Sequence, residues 1–515
     1  RTIRTQWCTL VRDSAIQRQW WAAFVLGLFT LMPLILGVDL YIDDLERAMD
    51  GSLRWVRVGR PLADALVGWL NFGRPATAVA PLYTLLAIAL LSLVGVACAR
   101  AHGIRSPFWT AVASLPLMAQ PYALQAMSYG FDALFMAVAL VCAISAALLV
   151  HLGSNWRLVA AALGLQLVSF NLYQPAANAF LVMTGCLCVA SALGLLDRPW
   201  RQLSLRLRLL ISALVYAGGY GLYRLLIALF FEQGLNGYAV TSSEFKPFNA
   251  ALPLEIAGSA SEPFQMLFSD FGRWPVVLPL LLLVVSYAAL MIQWRSVRVA
   301  FSAMAALVVV MLLAPGGMLL LRESFVRHPR VLLYFGPLVT SLMLQMLVVS
   351  GQMNRRLWRL GVLPLIWLMV VVSYAYGHAF AAQARFEQGR LARIVGAASV
   401  LQARAPAQPL RFLMVEGTMP RSPVLHNTSR KFPLIDRLIP PLLDGNQTFT
   451  FSQLRLHGLD LEKRIDKALR TPRPGRCEPS AEVICTSEFS LHRAGDDTLV
   501  LELTPEQSQP DRPRT

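Results

Sequence analysis

Residues 21–50 read WAAFVLGLFTLMPLILGVDLYIDDLERAMD, a predominantly apolar run up to position 38 followed at once by a dense group of charges. A helix needs roughly 20 apolar residues to cross about 30 Å of hydrocarbon. Backbone polar groups in lipid must also be satisfied within the segment, which favours a helix. The run therefore predicts a membrane-spanning helix, and the acidic group lies where that helix leaves the membrane.

Ten further apolar blocks follow the first one. With 56% hydrophobic and only 15% charged residues, the chain departs from soluble proteins, in which about 25% of residues are charged. The sequence thus predicts an α-helical polytopic membrane protein with about 11 transmembrane helices. No A-x-A-like cleavage site follows the first block, so we do not expect it to be a signal peptide. The further blocks are 78–99, 107–124, 132–150, 157–170, 176–196, 209–231, 274–292, 299–321, 331–350 and 361–381.

The distribution of arginine predicts the orientation, because short cytoplasmic loops carry an excess of Lys and Arg. With the N-terminus in the cytoplasm, the segments on that side hold sixteen arginines but only two acids, Asp13 and Asp197. Most of the formal net charge of +16 therefore lies on the cytoplasmic side and is explained by the orientation of the protein. It does not indicate nucleic-acid binding, since the cations are scattered rather than gathered in one basic patch. These cytoplasmic segments are 1–20, 100–106, 151–157, 196–208, 293–298 and 351–359.

This orientation predicts a multi-pass protein with a membrane domain, 1–382, and a small extracytoplasmic α+β domain, 383–515. In the second, 384–404 has helical spacing, RFLMVEG (411–417) indicates a strand, and EFSLHRAGDDTLVLEL (488–503) indicates a hairpin. An oxidising compartment would join its two cysteines in a disulfide, Cys477 to Cys485.

Two long connections are also predicted to be extracytoplasmic. Residues 39–77 form the first extracytoplasmic loop. Residues 232–273 are long for a helix connection, and long loops between elements are often lids. The sequence leaves open whether 232–273 is a lid or a passive connector.

The charged stretch 41–64 predicts an interfacial helix that begins at Asp43. Asp43, Arg47, Asp50 and Arg54 then share one face, which presents carboxylates at the boundary of water and lipid. The alternative is a solvated charge run in which the acids simply cap a helix N-terminus.

Other polar groups lie at the outer ends of the predicted spans, and they favour a functional site. A charge within a span is costly and usually faces a polar cavity. Together these groups supply carboxylates, amides, aromatic rings and cations on one side of the membrane, as a phosphate-bearing lipid and a polar acceptor would require. They are Tyr129 and Asp132, Asn171, Tyr173 and Gln174, Arg322, Arg327, His328 and Arg330, and Arg224 within the seventh apolar block.

Three of these stretches resemble a known family. YIDDLERAMDGSLRWVRVGRPLADAL (41–66) resembles the N-terminal pattern of the Gtr-type glucosyltransferases, the serotype-converting enzymes that modify bacterial O-antigen. SYGFDAL (128–134) and NLYQPA (171–176) are similar to shorter signatures of that family, and the resemblance covers roughly 20–380. It implies a GT-C membrane glycosyltransferase that moves glucose from a polyprenyl-phosphate donor to a surface glycan at the extracytoplasmic face.

The resemblance also implies that an acid in the first extracytoplasmic loop is the catalytic base. Asp43 and Asp44 match that position; we favour Asp43 as the base and Asp44 as an orienting group, although either could serve. Inverting transfer needs one base for the acceptor proton and fixed cations for the departing phosphate. Our candidates for the phosphate are Arg330, Arg327, Arg224 and Arg60. Our candidates for substrate contacts are Arg47, Trp55, Tyr129, Asp132, Tyr173, Gln174 and His328.

Several alternatives stay open at this point. Adjacent carboxylates near a phosphate could hold a divalent cation, so metal dependence is undecided. A secondary transporter or flippase is the second hypothesis. Transporters, however, place charges near the bilayer midplane and are built from two related halves. A scaffolding protein is the third hypothesis, and it gives the acidic pair no function. The sugar, the acceptor (glycan, lipid or protein), the linkage stereochemistry and the oligomeric state are not fixed by the sequence.

Overall fold

The computed structural model describes residues 13–197, 200, 204–273, 276–322, 328–404, 409–445, 449–464, 483–495 and 497–503, and within these the chain is largely helical. The α-helices in chain order are α1 (Ser14–Gly37), α2 (Asp43–Asp50), α3 (Pro61–Leu70), α4 (Leu82–Ala101), α5 (Pro107–Ser114), α6 (Pro116–Ala119), α7 (Ala123–Ser128), α8 (Ala133–Leu152), α9 (Trp156–Leu172), α10 (Ala179–Leu193), α11 (Leu205–Phe230), α12 (Gly237–Ser242), α13 (Leu252–Phe271), α14 (Leu278–Trp294), α15 (Val297–Leu313), α16 (Phe335–Gln352), α17 (Leu363–Arg404), α18 (Pro423–Lys431), α19 (Pro433–Leu438) and α20 (Phe449–Leu456).

Seven helices within the described ranges are long and apolar enough to cross a membrane: α1, α4, α8, α10, α11, α16 and α17, three of them continued at their start by a 3₁₀ turn. Shorter apolar helices occupy the remaining predicted blocks, at Pro107–Ala119, Trp156–Leu172, Leu278–Trp294 and Val297–Leu313. The helical character of every predicted block is therefore confirmed. The count of about eleven spans stays a prediction, since four of these helices fall short of the usual spanning length.

Contacts between helix ends separate into two groups. Arg105 contacts Asp197 at 3.2 Å and Arg100 contacts Asp13 at 3.5 Å. All four residues belong to segments predicted to be cytoplasmic. At the other end of the helices, Arg47 contacts Asp132 at 2.8 Å, and both belong to segments predicted to be extracytoplasmic. The acidic helix α2 and the ends of α7 and α8 thus form one polar layer.

Helix α2 is shorter than the sequence pattern predicts. Its first turn carries Asp43, Asp44 and Glu46, which suit the positive end of the helix dipole. It ends at Asp50 because Gly51 takes the left-handed conformation, with φ of 60°. The expectation that Arg54 continues the face of Asp43 is therefore wrong; Arg54 lies in the next loop and its guanidinium contacts Glu46. Helix α3 begins after this loop, at Pro61.

We expect Gly51→Ala to lower the stability of the protein by about 1–3 kcal/mol, the usual cost of forcing a side chain into a sparsely populated backbone conformation. A Cβ at this position would lie 2.2 Å from Cβ of Pro75, so steric overlap adds to the strain. The apparent melting temperature of detergent-solubilised protein measures the effect. Gly164→Ala is the control, because a Cβ there would meet nothing within 4 Å; an equal effect of both changes would contradict the prediction.

The C-terminal region contains a five-stranded mixed sheet in the order β2-β1-β5-β4-β3. Its strands are β1 (Phe412–Glu416), β2 (Glu462–Lys463), β3 (Val483–Cys485), β4 (Phe489–Ala494) and β5 (Thr498–Leu503). Strand β1 runs parallel to β2 and β5, and β4 is antiparallel to β3 and β5. The predicted strand and hairpin are confirmed. The predicted helix 384–404 is confirmed as the second half of α17, which continues without a break through the proposed boundary at 382–383.

The residues after 383, predicted to form one domain, are divided between two apolar clusters. Leu391, Ile394 and the sheet residues Leu413 and Leu501 form a small core of their own. In contrast, the large core that contains the long apolar helices also includes side chains of α18, of α19 and of the two residues that flank α19: Leu425, Phe432, Leu434, Ile435, Leu438 and Ile439. Helices α18 and α19 thus pack as a part of the helical body rather than of the sheet domain.

The predicted disulfide falls only partly within the described residues. Cys485 on β3 is disulfide-bonded. Cys477 lies outside the described residues, so its pairing with Cys485 stays a prediction.

Candidate active site

The two adjacent acids of α2 have opposite environments. Asp43 is exposed, whereas Asp44 is fully buried, with 0% of its surface accessible. Asp44 Oδ2 accepts hydrogen bonds from the backbone N–H of Gly130 at 2.7 Å and of Tyr41 at 3.3 Å, and Oδ1 accepts from that of Phe131 at 3.3 Å. Consecutive residues on a helix point about 100° apart. One acid of the pair therefore faces outward, and the other holds the turn between α7 and α8.

Burial raises the pKa of the Asp44 carboxyl to about 7, and the neighbouring charge of Asp132 adds to the rise. Arg47 and the amides of Gly130 and Phe131 oppose it, because they favour the ionised form. Desolvation is the larger effect, so the neutral and ionised forms of Asp44 are both populated near neutral pH.

The stability contribution of Asp44 should therefore depend on pH. Because the folded-state pKa lies above the ordinary value of 3.8, the contribution is complete below about pH 4 and is lost as the pH rises through about 7. One pKa unit corresponds to about 1.4 kcal/mol. We expect the melting temperature of the wild type to fall from pH 5 to pH 8 relative to that of Asp44→Asn, whose side chain stays neutral. A difference that is constant over this range would show that Asp44 keeps an ordinary pKa.

Asp132 connects three segments of the polar layer. Its carboxylate accepts from Arg47 at 2.8 Å and from Nε1 of Trp55 at 2.6 Å, and it lies 3.7 Å from Arg60. Arg47 also stacks on the Trp55 ring, 4.3 Å from its centroid. Asp64 fixes the same loop by accepting from the Trp55 amide at 2.9 Å. Asp132 thus holds two arginines in fixed positions beside the acidic helix.

Arg330 approaches the site from the start of the segment that leads into α16. Its guanidinium donates to the hydroxyl of Tyr129 and lies 4.9 Å from the centroid of that ring. Its backbone N–H donates to Oε1 of Gln125 at 2.9 Å, and its carbonyl accepts from the Tyr173 hydroxyl at 3.3 Å. Arg330 is therefore fixed at its side chain and at its backbone.

The exposed carboxylate of Asp43 lies within electrostatic range of this group. Its charge acts on Arg330, Arg47, Tyr129 and Tyr41. Asp43 is thus an accessible acid within electrostatic range of two held arginines. Such an arrangement can take a proton on one side while it stabilises an anion on the other.

The predicted aromatic and amide contacts lie around this centre, mostly inside the protein. Trp55, Tyr129 and Tyr173 are buried, and Arg60 stacks on the Tyr173 ring at 4.7 Å. Gln174 donates to the carbonyl of Gly59 and to the Tyr223 hydroxyl, both at 2.8 Å. These contacts support the loops that carry the arginines. A direct contact of any of these residues with a sugar stays a prediction.

Two predicted residues are exposed, and a third lies outside the described residues. Arg224 is exposed on α11, and its guanidinium forms no hydrogen bond or ion pair with the side chains or backbone that the structure describes. His328 is exposed at the start of the segment that carries Arg330. Arg327 lies outside the described residues. Their assignments stay predictions.

Several site residues were missed by the sequence analysis. Gln125 bridges two parts of the site, because its amide accepts from Arg330 and donates to the Tyr41 hydroxyl at 3.3 Å. The signal for Gln125 was an isolated amide in an apolar stretch. Asp270 accepts from Arg437 at 2.8 Å and from the Tyr122 hydroxyl at 3.1 Å; no sequence pattern linked these positions.

A cavity of about 240 Å³ lies beside the acidic helix, between the end of α1 and the start of α4. Its walls include Asp39, Pro81, Ser128 and Gly130, the last of which also contacts Asp44. The cavity is thus next to the turn that Asp44 holds. No group of three or more His, Cys, Asp or Glu side chains with metal-binding geometry occurs in the part of the chain that the structure describes.

Comparison with known proteins extends these observations. An uncharacterized 55.3 kDa protein in the gtrB 5′ region of Salmonella phage P22 is 27% identical over 158 residues, which is 30% of this chain and 32% of that protein. The matched part is thus about a third of the relative's length. No solved structure matches the chain significantly. The model of the family described as Glucosyl transferase GtrII matches residues 32–341, more than half of the chain and all of the segments that carry Asp43, Asp132 and Arg330. The chain belongs to the glucosyl transferase GtrII family.

Proposed function

We propose that the protein transfers a sugar, most simply glucose, from a polyprenyl-phosphate donor to a hydroxyl of a surface glycan such as O-antigen. Membership of a glucosyltransferase family supports the reaction class. The donor, the acceptor and the residues that act on them are the proposal.

The observation that carries the proposal is the different exposure of the two acids. Asp43 is exposed beside Arg330 and Arg47, whereas Asp44 is enclosed by backbone amides. A base must reach the proton that it removes. Asp43 meets this requirement, and Asp44 serves as a positioning residue for the turn that leads to Asp132.

The reaction follows as a single displacement. The Asp43 carboxylate accepts the proton of the acceptor hydroxyl while the oxygen of that hydroxyl attacks the anomeric carbon. The bond from that carbon to the phosphate oxygen breaks, and its electron pair stays on the lipid phosphate. Arg330, Arg60 and Arg47 stabilise the charge that grows there. A single displacement inverts the configuration at the anomeric carbon.

We place this site at the extracytoplasmic face of the bacterial inner membrane, in a GT-C protein with about eleven spans. The N-terminus is then cytoplasmic, and residues 383–515 are periplasmic. The separation of helix-end contacts into two groups supports this topology. The cavity beside α2 is where we place the entry of the lipid donor from the membrane.

A transfer assay tests the proposal. Purified protein is mixed with radiolabelled polyprenyl-phosphate glucose and O-antigen polysaccharide, and label in the polysaccharide is measured. We expect transfer by wild type. Uptake of the labelled lipid or sugar into vesicles without any transfer would overturn the proposal in favour of a transporter or flippase.

A further inference from the structure

A closed path of buried and part-buried contacts joins the C-terminal region to the two segments that carry Asp43 and Arg330. The hydroxyl of Tyr41, two residues before Asp43, donates to the carbonyl of Leu438 at 2.6 Å. The next residue back along the chain, Arg437, donates to both carboxylate oxygens of Asp270, at 2.8 and 3.1 Å. The C-terminal region thus contacts the acidic segment and the long loop 232–273 through adjacent residues.

The path closes through α7. Asp270 accepts from the Tyr122 hydroxyl at 3.1 Å, and Tyr122 directly precedes α7. Gln125 on α7 donates to the Tyr41 hydroxyl and accepts from the backbone N–H of Arg330. Each link therefore depends on the others, and the path includes the backbone of Arg330 and the residue that leads into α2.

Most side chains of the path are buried, whereas that of Arg437 is 31% exposed. Asp270 is 2% exposed, Tyr122 is 2%, Tyr41 is 1% and Gln125 is 5%. A buried carboxylate that loses its cation carries an uncompensated charge, which is far more costly than the loss of a surface ion pair. Loss of one of these contacts should thus cause the segments that the path joins to rearrange.

We propose that Arg437 and Asp270 are positioning residues of the active site: they fix the acidic segment and the Arg330 segment relative to each other. Residues 433–438 then help to position the active site, although they lie outside the family match at 32–341. The packing of α19 in the large helical core agrees with this assignment. The inference rests on the proposed sugar transfer.

Reaction geometry determines the expected kinetics. A misplacement of about 1 Å in a catalytic site can lower a rate by about 100-fold. Arg437 and Asp270 do not touch the reacting atoms in our mechanism. Arg437→Gln and Asp270→Asn should therefore lower kcat by about 10–100-fold, with less than about a threefold change in the KM for the lipid donor.

Charge reversal provides the decisive variant. Arg437→Asp or Asp270→Arg alone should lower kcat at least as much as the neutral changes. The double variant Arg437→Asp/Asp270→Arg restores the ion pair and should recover at least tenfold of that loss. A purely structural role would change the amount of folded protein without this recovery of kcat per folded molecule, which is counted by size-exclusion chromatography.

The matched control is Arg393→Gln, which removes another ion pair in the C-terminal region, that of Arg393 with Glu488. We expect wild-type kcat for this control. Wild-type transfer that Asp43→Asn abolishes, together with unchanged kcat in Arg437→Gln, would overturn this inference and leave the proposed function intact. Absence of transfer by the wild type would instead overturn the proposed function. If Arg437→Gln does not fold, the comparison of the single and double charge-reversed variants decides the question.

Discussion

Replacing Asp43 by Asn should lower the rate of sugar transfer by about 10²–10⁴-fold, the range that a positioned general base contributes. The change removes the proton acceptor but keeps the size and the local polarity of the side chain. Because Asp43 is exposed, the melting temperature should change little. The measurement is initial transfer rate per folded molecule, together with the melting temperature.

The neighbouring acids serve as controls for Asp43. Glu46 is exposed on the same helix and pairs with Arg54, and Glu46→Gln should leave transfer nearly unchanged. Asp44→Ala should mainly lower the melting temperature, because it leaves three backbone amides without their acceptor. Full activity of Asp43→Asn in stable protein would exclude Asp43 as the base.

Replacing Arg330 by Gln should lower kcat by about 10²–10³-fold, the typical effect of removing one donor that stabilises charge in a transition state. Arg330 is held at its guanidinium by Tyr129 and at its backbone by Gln125. It is therefore already in place when charge grows on the leaving phosphate. Single-turnover rates with saturating lipid donor measure the effect.

Two further variants make the Arg330 prediction specific. Arg330→Lys should recover only a part of the activity, since an ammonium group lacks the planar fork that can contact Tyr129 and a phosphate together. Arg298→Gln, at an exposed position predicted to face the cytoplasm, should behave like wild type. A raised KM with unchanged kcat in Arg330→Gln would mean that Arg330 binds the donor without stabilising the transition state.

Only part of the site could be predicted from the sequence. Motifs in 41–66 and 128–134 indicated the acidic pair, Asp132, Arg47 and Arg60. The cations at the outer ends of the predicted spans indicated Arg330, and the structure brings most of these residues together. The sequence did not show that Trp55 and Tyr173 are buried supports. It also gave no sign of Gln125 as a bridge, because its two partners lie 84 and 205 positions away along the chain.

The helical fold and its long apolar helices were determined by the sequence itself, because a backbone that crosses lipid must satisfy its own hydrogen bonds and the helix does so locally. Strands β1, β4 and β5 were also predictable locally, since alternation and turn residues act over a few positions, whereas the short strands β2 and β3 were not predicted. Tertiary packing alone decided which acid of the pair is exposed and which is enclosed. It also brought Arg437 to Asp270, across 167 positions, because contacts between distant segments depend on how all the helices pack and are encoded in no single stretch.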